Sequence, residues 1–237
     1  MNQDSQITAL QQELATLKRQ VTALEDINAI RHLQYAYGYY IDKCLYDEAV
    51  DLFADECETY FLNGIYKGKE GVRRLYCTWF REHFTEGYNG PIDGFLLDHL
   101  IMQDIIHIDE DGTTARIRAR CFMQGGVHRS APRKVPNFPE QNLEGGIYEN
   151  IFVKEDGIWK IKVLNYNMLW QADMPEGWAH TEAHLMPLTR TFPEDPRGPD
   201  ALLDHAPETW PRTRVVPFHY AHPVTGKMWQ PVPREKM

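Results

Sequence analysis

The chain is short of the features that mark most common functions. Its 237 residues include four cysteines, Cys44, Cys57, Cys77 and Cys121, with no Cys-x-x-Cys pair among them. No zinc ribbon or redox dithiol is therefore written locally, and the thiols read as reduced and mostly buried. Basic residues are outnumbered, 25 against 34 acidic ones, for a net charge of −9. Such a field repels a phosphate backbone, so no nucleic-acid partner is expected. No stretch approaches the roughly 18 consecutive apolar residues of a membrane span, so no membrane partner is expected either. The opening Met1-Asn2-Gln3-Asp4-Ser5-Gln6 has no basic segment ahead of an apolar one; a secretory leader is not expected, and a cytoplasmic location is. Gly125-Gly126 and Gly145-Gly146 lack the Lys-Ser/Thr of a phosphate loop. His180 and His184 have a zinc-compatible spacing, but no glutamate follows the first histidine, and no metal is assigned.

Aromatic residues are abundant: 12 Tyr, 10 Phe and 6 Trp. That much ring area suits a large core, an aromatic-lined pocket, or both. Three regions are expected. Residues 1–26 carry Ile7, Leu10, Leu14, Leu17, Val21 and Leu24 at spacings of 3, 4, 3, 4 and 3, an a/d heptad seam with Asn28 on the next a position. This reads as an oligomerisation helix, or else a helix packed on its own domain. A homo-oligomer is expected, trimer or dimer, with a slight preference for the trimer; the mixture of Ile, Leu and Val does not decide the number. Residues 169–237 hold 11 of the 15 prolines yet also Trp170, Trp178, Trp210 and Trp229. Proline at that density prevents long helices, and a disordered tail would be poorer in large rings, so an ordered extended arm is expected.

Between them, residues 27–168 form the body. The helix continues over 27–46, with further helical stretches over 47–53 and 70–84. Strands are expected over 97–108 and 113–123 around an Asp-Glu-Asp-Gly turn, and over 147–154 and 158–166 around Glu155-Asp156-Gly157. Residues 124–145 read as a long loop. Helices followed by an antiparallel meander give an α+β fold, a curved antiparallel sheet with helices on its concave side.

Two stretches resemble the SnoaL-like family of the nuclear-transport-factor-2-like superfamily. Ile30-Arg31-His32-Leu33-Gln34-Tyr35-Ala36, then Ile41-Asp42 and Leu52-Phe53-Ala54-Asp55, look like the family's opening helix and the segment after it. Gly146-Ile147-Tyr148, Phe152 and Gly157-Ile158-Trp159-Lys160-Ile161 look like its closing hairpin, and Asp98-His99-Leu100 sits where a strand often begins with histidine. The resemblance covers about residues 27–166 and implies a cone-shaped α+β barrel. It also implies metal-free, cofactor-independent proton chemistry, as in dehydratases, dehydrochlorinases, isomerases, polyketide cyclases and formaldehyde-releasing lyases of lignin-derived diols. The Asp–His pair that several members use maps onto Asp42 and His99. Many relatives carry Arg where this chain has Ile147, so no role of that Arg is carried over.

Read for chemistry, Asp42 shares a helix with Tyr35 and Tyr39, at i−7 and i−3, and all three are expected on one face. An inward carboxylate among phenols needs a partner, and His99 is the natural one. Asp42 would fix the imidazole tautomer and leave the other nitrogen as a general base. The alternative is a helix-ending aspartate and a satisfied core histidine. Tyr39 is the expected phenol donor to a leaving oxygen. Tyr35, Tyr148, Trp159 and Asn165 are the expected substrate-binding residues, the last two through strand alternation from Trp159 to Asn165. Arg116, Arg118 and Arg120 read as a solvated outer face. The expected function is a lyase on a bulky aromatic molecule, by dehydration or by dehydration with C–C cleavage that releases formaldehyde from a diarylpropane diol. A non-catalytic structural or binding subunit, and an isomerase or cyclase on a polycyclic substrate, are the alternatives.

Overall fold

The computed structural model describes residues 3–136, 138–181 and 186–231. His184 lies outside them, so the His180/His184 spacing has no structural counterpart to report. No helix among the described residues is long and apolar enough to cross a membrane.

Helix α1 (Gln3–Asp42) runs unbroken through the expected boundary at residue 26. Its first part stands clear of the body. From Asp26 onward one stripe is buried: Asp26, Ile30, Gln34, Tyr37, Gly38 and Ile41. That spacing is the i, i+3/i+4 face of a helix laid on a sheet. Cys44 takes a left-handed φ of 53° and stops the helix, with the Leu45 N–H returning to the Tyr40 carbonyl at 2.9 Å. Next come α2 (Tyr46–Asp51), β1 (Phe53–Phe61) and β2 (Gly64–Lys67). A helical rod follows, made of α3 (Gly68–Arg73), a π-helical stretch (Arg74–Phe80) and α4 (Arg81–Thr85). Four long strands complete the body, β3 (Phe95–Ile108), β4 (Thr114–Val127), β5 (Gln141–Glu155) and β6 (Ile158–Asp173), and the arm adds α5 (Gly177–His180) and the short β7 (Ala201–Leu202).

The sheet order is β3-β4-β5-β6-β1-β2-β7. It is curved and unclosed, with α1 and the helical rod on its concave side. One pairing departs from the antiparallel expectation: β1 runs parallel to β6. The expected loop at 124–145 is mostly strand, since β4 continues to Val127 and β5 begins at Gln141. Strands β1 and β2 were not foreseen. A register shift between Phe53 and Glu58 interrupts the alternation that would have revealed β1.

Inward residues of neighbouring strands line up in rows. His99, Met123, Glu144 and Gln171 form one row; Ala119, Tyr148 and Tyr166 form another, nearer the narrow end. β6 carries an extra residue opposite the Ile151/Phe152 step, because Ile151 faces Val163 whereas Phe152 faces Ile161. A one-residue insertion flips every side chain beyond it to the other face.

The arm packs on its own chain. The Arg74 guanidinium pairs with Asp200 at 2.6 Å, and Asn63 exchanges two bonds with Leu188. Further on, the arm crosses the outer face of β4 and β5. There Arg118 pairs with Glu149, donates to the Val216 and Pro217 carbonyls at 3.1 Å each and lies over the Phe218 ring at 4.1 Å. The expected solvated arginine face is therefore corrected for Arg118, which is buried beneath the arm.

Candidate active site

The helix α1 can approach β3 closely because residue 38 is glycine. A Cβ there would meet the Ile101 Cδ1 at 2.9 Å. One turn later the same stripe delivers Asp42 to His99. Its Oδ1 accepts the His99 backbone N–H at 2.8 Å and lies 2.7 Å from the His99 Nδ1. A carboxylate in the last helical turn faces the negative end of the helix dipole, and these two donors offset that placement. The side chains are 8% and 11% exposed, so the pair sits largely out of water. With the Nδ1–H committed to Asp42, the neutral tautomer carries its lone pair on Nε2. No group among the described residues bonds that Nε2.

The cone below the pair is lined by phenols. Tyr37 and Tyr76 share a hydrogen bond at 2.8 Å; Tyr37 meets Tyr148 edge-on at 6.2 Å; Tyr148 packs on Tyr166 at 4.8 Å. Burial pushes the hydroxyls of all four well above the ordinary tyrosine range. Cys121 stands among them, its thiol pushed up to about 12, by burial first and then by Glu144. Glu144 is buried and accepts the Gln171 amide at 2.9 Å. It lies two strands from His99 in the same inward row, about 10 Å away at ordinary strand spacing. Gly146 makes room for this lining, since a Cβ there would lie 2.5 Å from the Tyr166 ring. The site thus holds an oriented imidazole, a buried carboxyl and neutral phenols. Among the described residues, no group of three or more His, Cys, Asp or Glu is placed to hold a metal.

The sequence-predicted residues divide sharply. Asp42, His99 and Tyr148 come together in the cone. Tyr39 does not: it is 74% exposed. The stripe through Asp42 leans toward Gly38 and Tyr35, and Tyr37 is the tyrosine that points inward. Tyr35 sits at the β3 edge, its hydroxyl donating to Asp104 at 2.9 Å beside the Arg31–Asp104 ion pair. It ties α1 to the strand and does not line the cone. Trp159 is buried at the opposite end, where its Nε1–H donates to Asp26 at 2.9 Å. Asp26 and Asp42 are separated by 16 residues of one helix, about 24 Å at 1.5 Å per residue. Trp159 therefore anchors the helix and is out of reach of a molecule at His99. Asn165 falls on the outer face because the extra residue in β6 reverses the alternation that would have turned it inward. The same reversal brings Tyr166 inside. Tyr37, Tyr76, Tyr166 and Glu144 line the cone and are not among the predicted residues; the bulge hid Tyr166, and Glu144 lay inside the supposed loop.

Outside the cone, β6 and the arm enclose a cavity of about 290 Å³, lined by Leu62, Asn165, Tyr166, Asn167, Leu203 and Arg214 among others. Burial holds the Arg214 guanidinium below its ordinary pKa.

A model of the SnoaL-like domain matches residues 22–165. The chain belongs to the SnoaL-like family. Its fold is similar to three solved structures. One is a Novosphingobium aromaticivorans protein assigned by inference as a scytalone dehydratase, at 20% identity and a TM-score of 0.52, covering 73% of this chain and 99% of that one. A second is the hexachlorocyclohexane dehydrochlorinase LinA-type3 of Novosphingobium barchaimii, at 16% identity and 0.52, covering 71% and 99%. The third is LinA itself, at 16% identity and 0.53, again covering 71% and 99%. At these identities the likeness is one of fold. No curated protein matches the chain. As a SnoaL-like domain, this chain is distinguished by what lies at either end of the matched segment: the projecting start of α1 and the arm.

Proposed function

We propose that this SnoaL-like protein is a cofactor-independent lyase acting on a bulky aromatic small molecule. The observation that carries the reading is the Asp42–His99 pair, bonded at 2.7 Å at the top of a phenol-lined cone, with Nε2 left to act on a ligand. His99 takes the proton, and Asp42 holds the ring and stabilises the imidazolium that forms. The Glu144 carboxyl, across the row, gives the leaving oxygen its proton, with the neutral phenols as fixed donors around it. The dehydratase and dehydrochlorinase among the structural neighbours are proteins of the same fold whose names describe eliminations, which supports this class of reaction.

Within that class we favour a two-ring phenolic substrate such as a lignin-derived diarylpropane diol. Ionisation of a para-phenol expels the benzylic hydroxyl as water and leaves a quinone methide. His99 then takes the proton of the terminal hydroxyl, the C–C bond breaks to release formaldehyde, and the electron pair returns to the ring as a stilbene phenolate. Simple dehydration uses the same base on a C–H bond. The structural-subunit alternative requires a cone filled by protein side chains and Asp42 and His99 too far apart to bond; the buried Tyr37, Tyr76 and Tyr148 meet the first condition, and the bonded pair argues against the second.

The test incubates the purified protein with phenolic diarylpropane diols and hydroxylated polycyclic compounds, following stilbene absorbance and trapping formaldehyde. Alkene and formaldehyde together, lost in His99→Ala, establish the C–C lyase. Alkene alone makes the protein a dehydratase. A rearranged product of unchanged mass makes it an isomerase or cyclase. Turnover that survives His99→Ala overturns the mechanism.

A further inference from the structure

The cavity between β6 and the arm has a composition unlike the cone. Arg214 lines it, and among the described residues no carboxylate pairs with that guanidinium. Its Nε–H donates to the Glu208 carbonyl at 3.1 Å and an Nη2–H to the Asn167 side-chain oxygen at 3.1 Å, both neutral acceptors. Asn167 in turn donates to the Asn165 side-chain oxygen at 3.2 Å, which leaves the Asn165 amide N–H groups as spare donors. The Tyr166 hydroxyl points the other way, into the cone beside Gly146, so this residue offers the cavity its ring and not a donor. Leu62 and Leu203 supply apolar walls. A partly buried cation that feels the Glu208 charge without forming an ion pair with it, flanked by the spare Asn165 N–H donors, is poised for a planar oxyanion; a guanidinium matches a carboxylate in two-point fashion. The volume, about 290 Å³, accepts one substituted ring. Tyr166 belongs to both spaces, since its ring packs on Tyr148 inside the cone and also lines this cavity.

We propose that this cavity is a subsite for the carboxylate of an aromatic acid, with Arg214 as its charge partner and Asn165 as a second donor. The proposal rests on the lyase reading only in taking this acid to be part of the substrate. Its test uses binding alone: isothermal calorimetry of the full chain with trans-stilbene-4-carboxylate and with the uncharged trans-stilbene-4-carboxamide. Expected is at least tenfold tighter binding of the acid, a preference that vanishes in Arg214→Leu, persists in part in Arg214→Lys and persists in His99→Ala. Circular dichroism and thermal unfolding check that each variant is folded. Equal binding of the two probes, no binding of either, or a preference that survives in a folded Arg214→Leu overturns the subsite. None of these outcomes bears on whether His99 catalyses an elimination, which the formaldehyde and alkene assay decides separately.

A different observation carries a second inference. The seam residues Ile7, Leu10, Leu14, Leu17, Val21 and Leu24 are 48% to 63% exposed. The body cannot cover them: it holds α1 through Asp26, an f position, on the side opposite the a/d seam. The d positions are all Leu, the a positions are Ile7, Leu14, Val21 and Asn28, and a parallel pairing sets Glu13 at g against Lys18 at e of a second helix. The apolar mixture alone does not fix the number, Leu14 being unbranched at Cβ, but Leu at every d and the polar Asn28 at a favour two strands, and the Glu13–Lys18 pairing favours a parallel arrangement. We infer that the occupant is a second copy of this chain. Sedimentation equilibrium is expected to give a dimer that dissociates in Leu10→Glu/Leu17→Glu. Oxidation of Leu14→Cys is expected to link the two copies, because only a parallel register sets identical a positions side by side. A wild-type monomer, a trimer, a double variant that stays dimeric, or a Leu14→Cys protein that does not cross-link overturns it.

Discussion

The two faces of β4 and β5 are made from the same strands and spend their polar groups in opposite ways. The inner face carries Cys121, Tyr148 and Glu144, and its Lys154 lies at the Trp159 end of the sheet, paired with Asp26 at 2.7 Å. The outer face carries Arg116, Arg118, Arg120 and Glu149. Outside, charge is matched to charge and to arm carbonyls, so its work is to hold chain against chain. Inside, phenols are kept neutral by burial, and on the proposed reading the His99 imidazole of neighbouring β3 takes the proton. Placing fixed cations on one side of a sheet and proton carriers on the other lets the same ten residues of strand serve packing and chemistry without either disturbing the other's charge balance.

Five experiments press on that division. The inner face should fail by function: His99→Ala is expected to lower turnover by about 10²–10⁴-fold, the usual contribution of a positioned base. Stability should fall by far less than activity, since Asp42 keeps the backbone N–H of residue 99 when the imidazole is lost, as steady-state kinetics and thermal melts would show together. The outer face should fail by stability. Arg118→Met removes the bonds to the Val216 and Pro217 carbonyls and leaves the part-buried Glu149 with His219 alone; it is expected to cost about 1–3 kcal/mol, read as a lowered denaturation midpoint and faster proteolysis of the arm. Between these lies Gly146→Ala, which forces a methyl into the Tyr166 ring and is expected to cost about 1–3 kcal/mol, with weakened binding of aromatic probes.

Titration sharpens the same contrast. Tyr37, Tyr76, Tyr148 and Tyr166 have hydroxyls raised in the folded state by burial. Their contribution to stability is full below the unfolded value of about 10 and declines above it. Absorbance at high pH should show these four ionising only as the protein unfolds. The smallest effect belongs to the outer face. His107 bonds His219 at 3.0 Å, and its pKa is lowered by burial first and by His219 second. A lowered histidine stabilises above its unfolded value of about 6.5 and loses that stabilisation as pH falls through the folded value. The midpoint should drop slightly between pH 7 and pH 5, and less so in His107→Phe.

Much of this was legible from residue pattern. The heptad spacing marked α1, the two hairpin turns marked β3 to β6, and the resemblance joined Asp42 to His99. What stayed hidden was set by irregular backbone. Alternation carried forward from Trp159 put Asn165 inside and Tyr166 outside, because an inserted residue leaves no mark in composition. A face assigned by i−3 spacing put Tyr39 with Asp42, though a helix drifts 60° over that step and the packing stripe ran through Gly38. Glu144 was overlooked because two following glycines resembled a loop, where the structure uses Gly146 to seat a ring. Arg118 was read as solvated because nothing in its strand announces an arm that arrives a hundred residues later.

The bulge in β6 also says something about how such a protein changes over generations. Between the extra residue at the Ile151/Phe152 step and the second irregularity at the Gly145/Gly146 step, the strand's facing is set by its pairing with β5. Deleting Lys162 would remove the bulge and leave Val163 opposite Ile151 and Tyr166 opposite Tyr148, so Tyr166 would stay in the cone and Asn165 outside it. The bulge thus acts as a spare residue: its loss shortens the strand and leaves the ligand-facing surface as it was.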